Sequence, residues 1–203
     1  MTRIDIVLYE GFDELDAVGP YEVFSNAAKR GADLEPRLVT VDGRDRVTAS
    51  HGLRVEADGT LPGPDAPDRP DVVVVPGGGW SDRSEAGAWT EAEKGEVPEA
   101  VAAHHAVGAT VASVCTGGML LATAGLTDDR PAVTHASALS DLRASGAEVV
   151  DARVVDDGDL LSAGGVTSGI DLALHLVERE AGARIAEDVA TALEYERRGV
   201  VAS

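Results

Sequence analysis

Cysteine is almost absent from this chain. Among 203 residues there is one, Cys115. A single cysteine excludes an internal disulfide and any zinc cluster built from several cysteines. A lone cysteine in many proteins is simply a small buried apolar residue. The function of Cys115 must therefore be judged from the residues around it.

Basic side chains are also scarce. The chain has 17 lysines and arginines against 36 aspartates and glutamates, a formal charge of -19, and lysine occurs only at positions 29 and 94. No basic patch is visible that could hold nucleic-acid phosphates, so we predict no nucleic-acid partner. Scarce lysine and an aromatic content of 3% favour a protein adapted to high salt. An ordinary acidic protein from an arginine-biased genome is the alternative.

Long apolar runs are missing as well. No segment approaches the roughly 20 residues that a membrane span needs. The first residues, MTRIDIVLYEG, have an apolar run too short for a signal peptide and predict a strand instead. With 44% hydrophobic residues, the chain is suited to one compact core. We therefore expect a single domain over residues 1–203, located in the cytoplasm and without a membrane partner.

Two continuous apolar runs, at residues 71–75 and 109–114, are typical of strands buried in a parallel sheet. Amphipathic segments at 168–179 and 185–195 predict helices. This alternation predicts an α/β fold, a flavodoxin-like three-layer α/β/α sandwich with a mostly parallel central sheet. Further strands are predicted at 4–9, 35–41, 46–49, 53–56, 131–134, 149–155 and 160–163, and further helices at 13–31 (broken or kinked at Gly19-Pro20), 90–107 (interrupted near Gly95 and Pro98) and 137–144.

The segment TVASVCTGG, residues 110–118, runs from a predicted strand directly into a helical pattern. A residue at such a turn is presented above the sheet, as in a nucleophile elbow. The helix N-terminus favours negative charge there, so the pattern predicts a lowered pKa for the Cys115 thiol and a reactive nucleophile. Gly117, Gly118 and the short Thr116 allow backbone or substrate to approach closely.

Ligands bind such sheets at the carboxyl ends of the strands. Tyr9-Glu10, Pro76–Trp80 and Cys115 each follow a predicted strand, so we expect them to share one crevice. The PGGG segment offers backbone N–H groups to a developing negative charge there. A tight loop that requires glycine for its backbone angles is the alternative explanation, and both can hold.

Four blocks follow one another along the chain: DVVVVPGGG, ASVCTGG, AVTHASAL and GGVTSGIDLALHLVE. Together they resemble the ThiJ/PfpI superfamily, whose fold is similar to that of class I glutamine amidotransferases. Leu15-Asp16 followed by GPYEVF, together with CTGG at 115–118, resembles isocyanide hydratases and the amidase-like domains joined to AraC-type regulators. The 203 residues leave no room for an added helix-turn-helix region, so we expect an enzyme rather than a regulator.

The resemblance implies that Asp16 is the acid that hydrogen-bonds the nucleophilic sulfur. The two groups would then share a proton and titrate as a coupled pair. A structural role for Asp16, as an acid favoured by the helix dipole, is the alternative, and Glu14 is the second candidate acid. The resemblance also implies an oxyanion site formed by the N–H groups of Gly78 and Thr116, with that of Cys115 as a further candidate.

Four residues are predicted to line the substrate pocket: Gly77, Trp80, Gly117 and His135. Packing alone would also explain Trp80, and a structural role would explain His135. PfpI peptidase-like members carry histidine directly after the cysteine, where this chain has Thr116, so an adjacent Cys-His dyad is absent. We expect His104-His105 to be solvated and His175 to lie in the core or an interface, and we identify no metal ligands.

The first function predicted is therefore that of an isocyanide hydratase, a hydro-lyase without cofactor or metal. A glyoxalase or deglycase activity on small dicarbonyls, and a cysteine redox sensor without enzymatic activity, remain open alternatives because each needs a reactive thiol. By resemblance we expect a small-molecule substrate and a homodimer.

Overall fold

The structure, a computed structural model, describes residues 1–199 and the backbone of residues 201–202. Its strands are β1 (Thr2–Leu8), β2 (Leu34–Thr40), β3 (Arg46–Thr48), β4 (Arg54–Glu56), β5 (Gly59–Thr60), β6 (Val72–Val75), β7 (Thr110–Val114), β8 (Pro131–Ala132), β9 (Glu148–Val149), β10 (Val154–Asp157), β11 (Leu160–Ala163) and β12 (Val201–Ala202). Eight of them form one sheet in the order β12-β10-β11-β7-β6-β1-β2-β5. Only β10 and β11 pair antiparallel within it. Two small sheets, β3-β4 and β8-β9, lie apart from it.

Helices flank the main sheet in two groups. They are α1 (Glu14–Lys29), α2 (Ala88–Lys94), α3 (Glu96–Ala106), α4 (Gly117–Thr123), α5 (Leu139–Ala144), α6 (Ser168–Ala181) and α7 (Ala183–Ala192). Helices α1, α6 and α7 pack against one another, and α2, α3 and α4 form the second group. The predicted α/β class with a mostly parallel central sheet is therefore confirmed. Of the helices described, none is both long enough and apolar enough to cross a bilayer.

The central strands explain why the site lies where it does. All four residues of β6 are buried, as are Val111 to Val114 of β7, because helices cover both faces of the sheet. Strand β1 pairs in parallel with β6, and β6 with β7. The carboxyl ends of β1, β6 and β7 therefore meet at one edge of the sheet, where the loops that follow them come together.

Helix α1 differs from its prediction, because it continues through Gly19 and Pro20 without a break. Both residues are buried against α6. A Cβ on Gly19 would lie 3.5 Å from Ile170 Cγ1, and one on Gly169 would lie 3.4 Å from Pro20 Cγ. Proline removes one helical hydrogen bond, to the carbonyl of residue 16, and close packing against α6 offsets that loss.

Three other segments agree with prediction only in part. The interruption predicted near Gly95 is confirmed, since α2 and α3 are separated there by Gly95, whose φ of +82° is left-handed. The second predicted interruption, near Pro98, is wrong, because Pro98 lies in the first turn of α3, where proline is tolerated. The strand predicted at 149–155 is split, since Val149 ends β9 and β10 begins at Val154. The strand predicted at 131–134 ends at Ala132, which frees the next residues to turn toward Cys115.

Candidate active site

Cys115 lies between the end of β7 and the start of α4 with a φ of +57°. This left-handed backbone is uncommon for residues other than glycine and costs about 1–3 kcal/mol, so surrounding contacts must hold it. The Cys115 N–H donates to the carbonyl oxygens of Ala163, at 3.1 Å, and Gly164, at 2.8 Å. The Cys115 carbonyl accepts a 2.8 Å hydrogen bond from the Thr134 hydroxyl. The backbone of Cys115 is thus held by the end of β11 and by a residue that follows β8.

The loop after β6 and the start of α4 approach each other too closely for any side chain. A Cβ on Gly117 would lie 2.2 Å from the Val75 carbonyl oxygen, and a Cβ on Gly77 would lie 2.4 Å from the Thr116 nitrogen. Such distances are far inside van der Waals contact, so only glycine fits at either position. The two predicted pocket glycines therefore bring the backbones together beside Cys115.

The start of α1 places Asp16 at the same edge. Asp13 caps the helix by accepting the Leu15 N–H at 3.2 Å, and its own N–H donates to the Gly77 carbonyl at 2.8 Å. Asp16 is fully buried, and its Oδ2 accepts the Gly77 N–H at 2.9 Å. Its Oδ1 is buried and has no hydrogen-bond partner among the described residues.

Asp16 and Cys115 lie close enough for each to change the acidity of the other. Burial, together with the negative charge of Asp13, raises the pKa of Asp16 to about 8, while the Gly77 N–H and the Cys115 thiol act in the opposite direction. Burial and the negative charge of Asp16 raise the pKa of the Cys115 thiol to about 12, against a hydrogen bond from the Thr116 N–H.

The prediction of a lowered thiol pKa is therefore wrong. Cys115 is only 6% exposed and lies beside a carboxyl group, so burial and like charge outweigh the N-terminus of the short helix α4. The two groups titrate as a pair that holds both protons below about pH 8, the value to which the pKa of Asp16 is raised.

The N–H groups predicted to form the oxyanion site already have hydrogen-bond partners within the protein. Gly78 N–H donates to the Thr116 hydroxyl oxygen at 2.8 Å, and Cys115 N–H donates to the carbonyl oxygens at the end of β11. The Thr116 N–H points at the Cys115 sulfur. Gly78 can therefore reach a substrate only after the Thr116 hydroxyl turns away, and its function as an oxyanion donor stays a prediction.

Glu14, the second candidate acid, points to the β3-β4 hairpin instead. One carboxylate oxygen accepts the His51 N–H at 2.7 Å, and the other contacts His51 Nδ1 at 2.6 Å and the Ser50 hydroxyl at 3.1 Å. Burial opposes the change, but these hydrogen bonds lower the pKa of Glu14 to about 2. Of the two acids, Asp16 is the one that the structure brings to Cys115.

Trp80 and His135 belong to two segments that are joined by hydrogen bonds. Trp80 is buried and its indole Nε1 donates to Asp141 Oδ2 at 2.8 Å. His135 accepts the Ser137 N–H at Nδ1, and the Ser137 hydroxyl contacts that of Ser81 at 2.6 Å. These bonds join the loop after β6 to the segment after β8. Whether either side chain contacts a substrate stays a prediction.

The remaining histidines have structural partners. His104, expected to be solvated, is instead buried, with its two ring nitrogens bonded to the Ala100 and Pro62 carbonyls. His175 is half-buried and contacts Asp156 Oδ2 at 2.7 Å. Within the part of the chain that the structure describes, no three His, Cys, Asp or Glu side chains are grouped as metal ligands.

Two contributors to the site were not predicted. Thr134 and Gly164 hold the backbone of Cys115, although they lie far from it in the sequence. Thr134 lies inside the AVTHASAL block and Gly164 begins the GGVTSGIDLALHLVE block, so the motifs contained the signal without showing which atoms would meet.

Known proteins resemble this chain over nearly its whole length. The model of the DJ-1/PfpI family matches residues 2–179. An isonitrile hydratase from Pseudomonas putida is 35% identical over 193 residues, 95% of this chain and 78% of that protein. A deglycase from Thermococcus kodakarensis is 27% identical over 170 residues, 79% of this chain and 88% of that protein. The crystal structure of a THiJ/PfpI family protein from Pseudomonas syringae superposes with a TM-score of 0.83 at 28% identity, covering 97% of this chain and 76% of that one.

Proposed function

The chain belongs to the DJ-1/PfpI family, and we propose that it is a cysteine-dependent hydratase that converts an isocyanide into an N-substituted formamide. The observation that carries this proposal is the burial of Cys115 together with Asp16, a fully buried carboxyl group whose pKa is raised by that burial to about 8. The 35% identity to an isonitrile hydratase over 95% of the chain supports the same activity.

The first chemical step needs a nucleophile and a proton at one atom, because the terminal carbon of an isocyanide accepts both. The Cys115 sulfur forms a bond to that carbon while Asp16 gives its proton to the same carbon. The proton of the thiol then passes to Asp16. The product is a thioimidate on Cys115, and Asp16 is again neutral.

The second step consumes one water. Water adds to the thioimidate carbon, the carbon–sulfur bond breaks, and the sulfur and the substrate nitrogen each end with one proton, which releases the formamide. Asp16 is placed to orient the water and move these protons. The N–H groups of Gly78 and Thr116 stabilise the developing negative charge once the Thr116 hydroxyl releases Gly78.

The narrow access to the thiol favours this substrate class. Cys115 is 6% exposed and is surrounded by backbone approaches in which a Cβ would clash. An isocyano group is linear and only two atoms long, so it can reach a sulfur that a branched carbonyl compound reaches less easily. We propose that Gly77, Gly117, Trp80 and His135 form the walls of this passage.

Purified protein tests the proposal directly. We expect wild type to convert a simple aryl isocyanide to its formamide, and Cys115→Ala to lose this turnover. Consumption of methylglyoxal without hydration of isocyanides would indicate the dicarbonyl activity, which the relation to a deglycase favours. A protein inert to both, but readily oxidised at Cys115 by peroxide, would instead be a redox sensor.

We also propose that residues 1–203 form one domain that pairs into a homodimer. Leu15 and Val18 of α1 are 37% and 36% exposed, and they are two of the four large apolar side chains exposed among the described residues. They border an apolar groove whose other walls include Ile170 and Leu193. A second copy of this face would remove the exposed leucine and valine from water.

A further inference from the structure

The hydroxyl of Tyr9 takes no part in the mechanism above, yet it lies within the same buried region. Tyr9 directly follows β1 and is 5% exposed. Its hydroxyl donates a 2.5 Å hydrogen bond to the Pro76 carbonyl oxygen, at the start of the glycine loop. Burial and the nearby charge of Asp16 raise the pKa of Tyr9 well above its usual range, so the hydroxyl stays a donor.

The Pro76 carbonyl and the Gly77 N–H belong to one peptide group. The N–H of this peptide donates to Asp16 Oδ2 at 2.9 Å, on the side opposite to the bond from Tyr9. A continuous chain therefore runs from the tyrosine hydroxyl through a single peptide to the carboxyl group. A hydrogen bond accepted by a carbonyl polarises its peptide and makes the N–H a stronger donor.

The peptide has little freedom to turn. A Cβ on Gly117 would lie 2.7 Å from the Pro76 oxygen, which shows how closely α4 covers that atom. The following carbonyl, that of Gly77, accepts the Asp13 N–H at 2.8 Å. The Tyr9 hydroxyl thus bonds the peptide from within the core, while α1 and α4 confine it from the other sides.

We propose that Tyr9 is a positioning residue of the Asp16–Cys115 pair, acting through the Pro76–Gly77 peptide to aim and strengthen the N–H that binds Asp16. The inference rests on the pairing of these two side chains and not on the identity of the substrate. The other titratable groups acting here are Asp13 at the start of α1 and Glu91 of α2, which is itself bonded to Lys94 at 2.8 Å.

Alkylation of Cys115 by iodoacetamide gives a readout that needs no substrate. The alkylation rate follows the fraction of Cys115 present as thiolate. A plot of that rate against pH therefore changes slope at the pH where the pair loses its first proton, and we call this pH the break. Without the Tyr9 hydroxyl, Gly77 N–H is a weaker donor and ionised Asp16 is less stable. We expect Tyr9→Phe to move that break upward by about half a pH unit.

Tyr21→Phe is the matched control, because Tyr21 is half-buried on α1 and its hydroxyl has no hydrogen-bond partner in the described region. We expect its break to stay at the wild-type pH. A folded Tyr9→Phe protein with an unmoved break would overturn the proposal, and so would an equal shift in Tyr21→Phe. A purely structural Tyr9 would lower the melting temperature without moving the break.

If Tyr9→Phe does not fold, 3-fluorotyrosine placed at position 9 alone retains the hydroxyl and makes it a stronger donor. The break should then move downward, and an unchanged break would overturn the proposal. Alkylation tests Tyr9 whichever compounds the protein consumes. Failure of the isocyanide assay and failure of this inference are therefore separate results.

Discussion

Asp16 is the residue whose chemistry is easiest to separate from its structural contribution. Replacing it by asparagine keeps the shape and the Gly77 hydrogen bond but removes the transferable proton. We expect Asp16→Asn to lower isocyanide hydration by roughly two to four orders of magnitude, the usual effect of losing a general acid. A structural acid at a helix start would instead change the free energy of unfolding by at most about 1 kcal/mol and leave turnover intact.

Asp13→Asn provides the control for this substitution. Asparagine caps helices as well as aspartate does, so α1 should keep its start and the acid at position 16. Formamide production within about tenfold of wild type is expected for this variant. Because the charge of Asp13 also raises the pKa of Asp16, both variants are compared at a pH low enough to keep Asp16 protonated. Equal losses there would show that the helix start, and not the proton on Asp16, limits activity.

The thiol itself should show a labelling profile with two phases. While Asp16 is neutral, each pH unit raises the thiolate fraction about tenfold. Above about pH 8, where Asp16 ionises, its charge opposes the thiolate, so the rate should level off until the thiol titrates near pH 12. Asp16→Asn should give a single rise without the plateau. One midpoint at acidic pH in wild type would contradict the arrangement described here.

At this scale the sequence predicted which two side chains come together, but not the direction in which the thiol pKa shifts. The motifs located Cys115 and Asp16, and the structure brings them together. The predicted direction of the thiol pKa shift was wrong. The sequence shows that a helix starts after Cys115, but it does not show that a buried carboxyl group lies near the sulfur. The burial of that neighbour depends on how α1, the loop after β6 and the junction of β7 with α4 pack together.

Among the elements, the junction of β6 with α4 leaves the least space. We expect Gly117→Ala to lower the free energy of unfolding in urea by about 1–3 kcal/mol, because the added methyl group meets the Val75 carbonyl at 2.2 Å. Gly63→Ala is the control, since nothing lies within 4 Å of its Cβ position. A Gly117→Ala protein as stable as the control would mean that α4 can shift without cost.

Elements covered on both faces were the ones that the sequence predicted well. Strands β6 and β7 are continuous apolar runs, and such strands can be predicted without knowing which elements pack against them. Helix α1 was less well predicted, because its continuity through Pro20 depends on packing against α6, which begins almost 150 residues later. The pairing of β8 with β9 likewise depends on tertiary contacts that no local pattern records.

For the whole molecule, the charge of -19 is the dominant electrostatic property. We expect the melting temperature to rise from dilute buffer to molar KCl, because salt screens the repulsion among excess carboxylates. Thermal melts over a series of KCl concentrations provide the measurement. A flat or falling series would leave an ordinary acidic protein as the better description.

The proposed homodimer can be tested on the exposed face of α1. We expect Val18→Glu to reduce the mass in light scattering to that of one chain, because a buried charge opposes association. Leu53→Glu changes a more exposed residue, at 46%, near the start of β4 and should leave the mass unchanged. A wild-type protein that already has the mass of one chain would contradict the proposed homodimer.

The hydrogen bonds from Cys115 to Ala163 and Gly164 also have a consequence during synthesis. Position 164 is made 49 residues after position 115, which at about 5–20 residues per second leaves about 2–10 seconds in which the nascent chain contains the cysteine without its β11 partners. During that interval β7 has an open edge and the thiol lacks its final enclosure. The newly made chain, rather than the folded protein, is therefore the form most exposed to oxidation at Cys115.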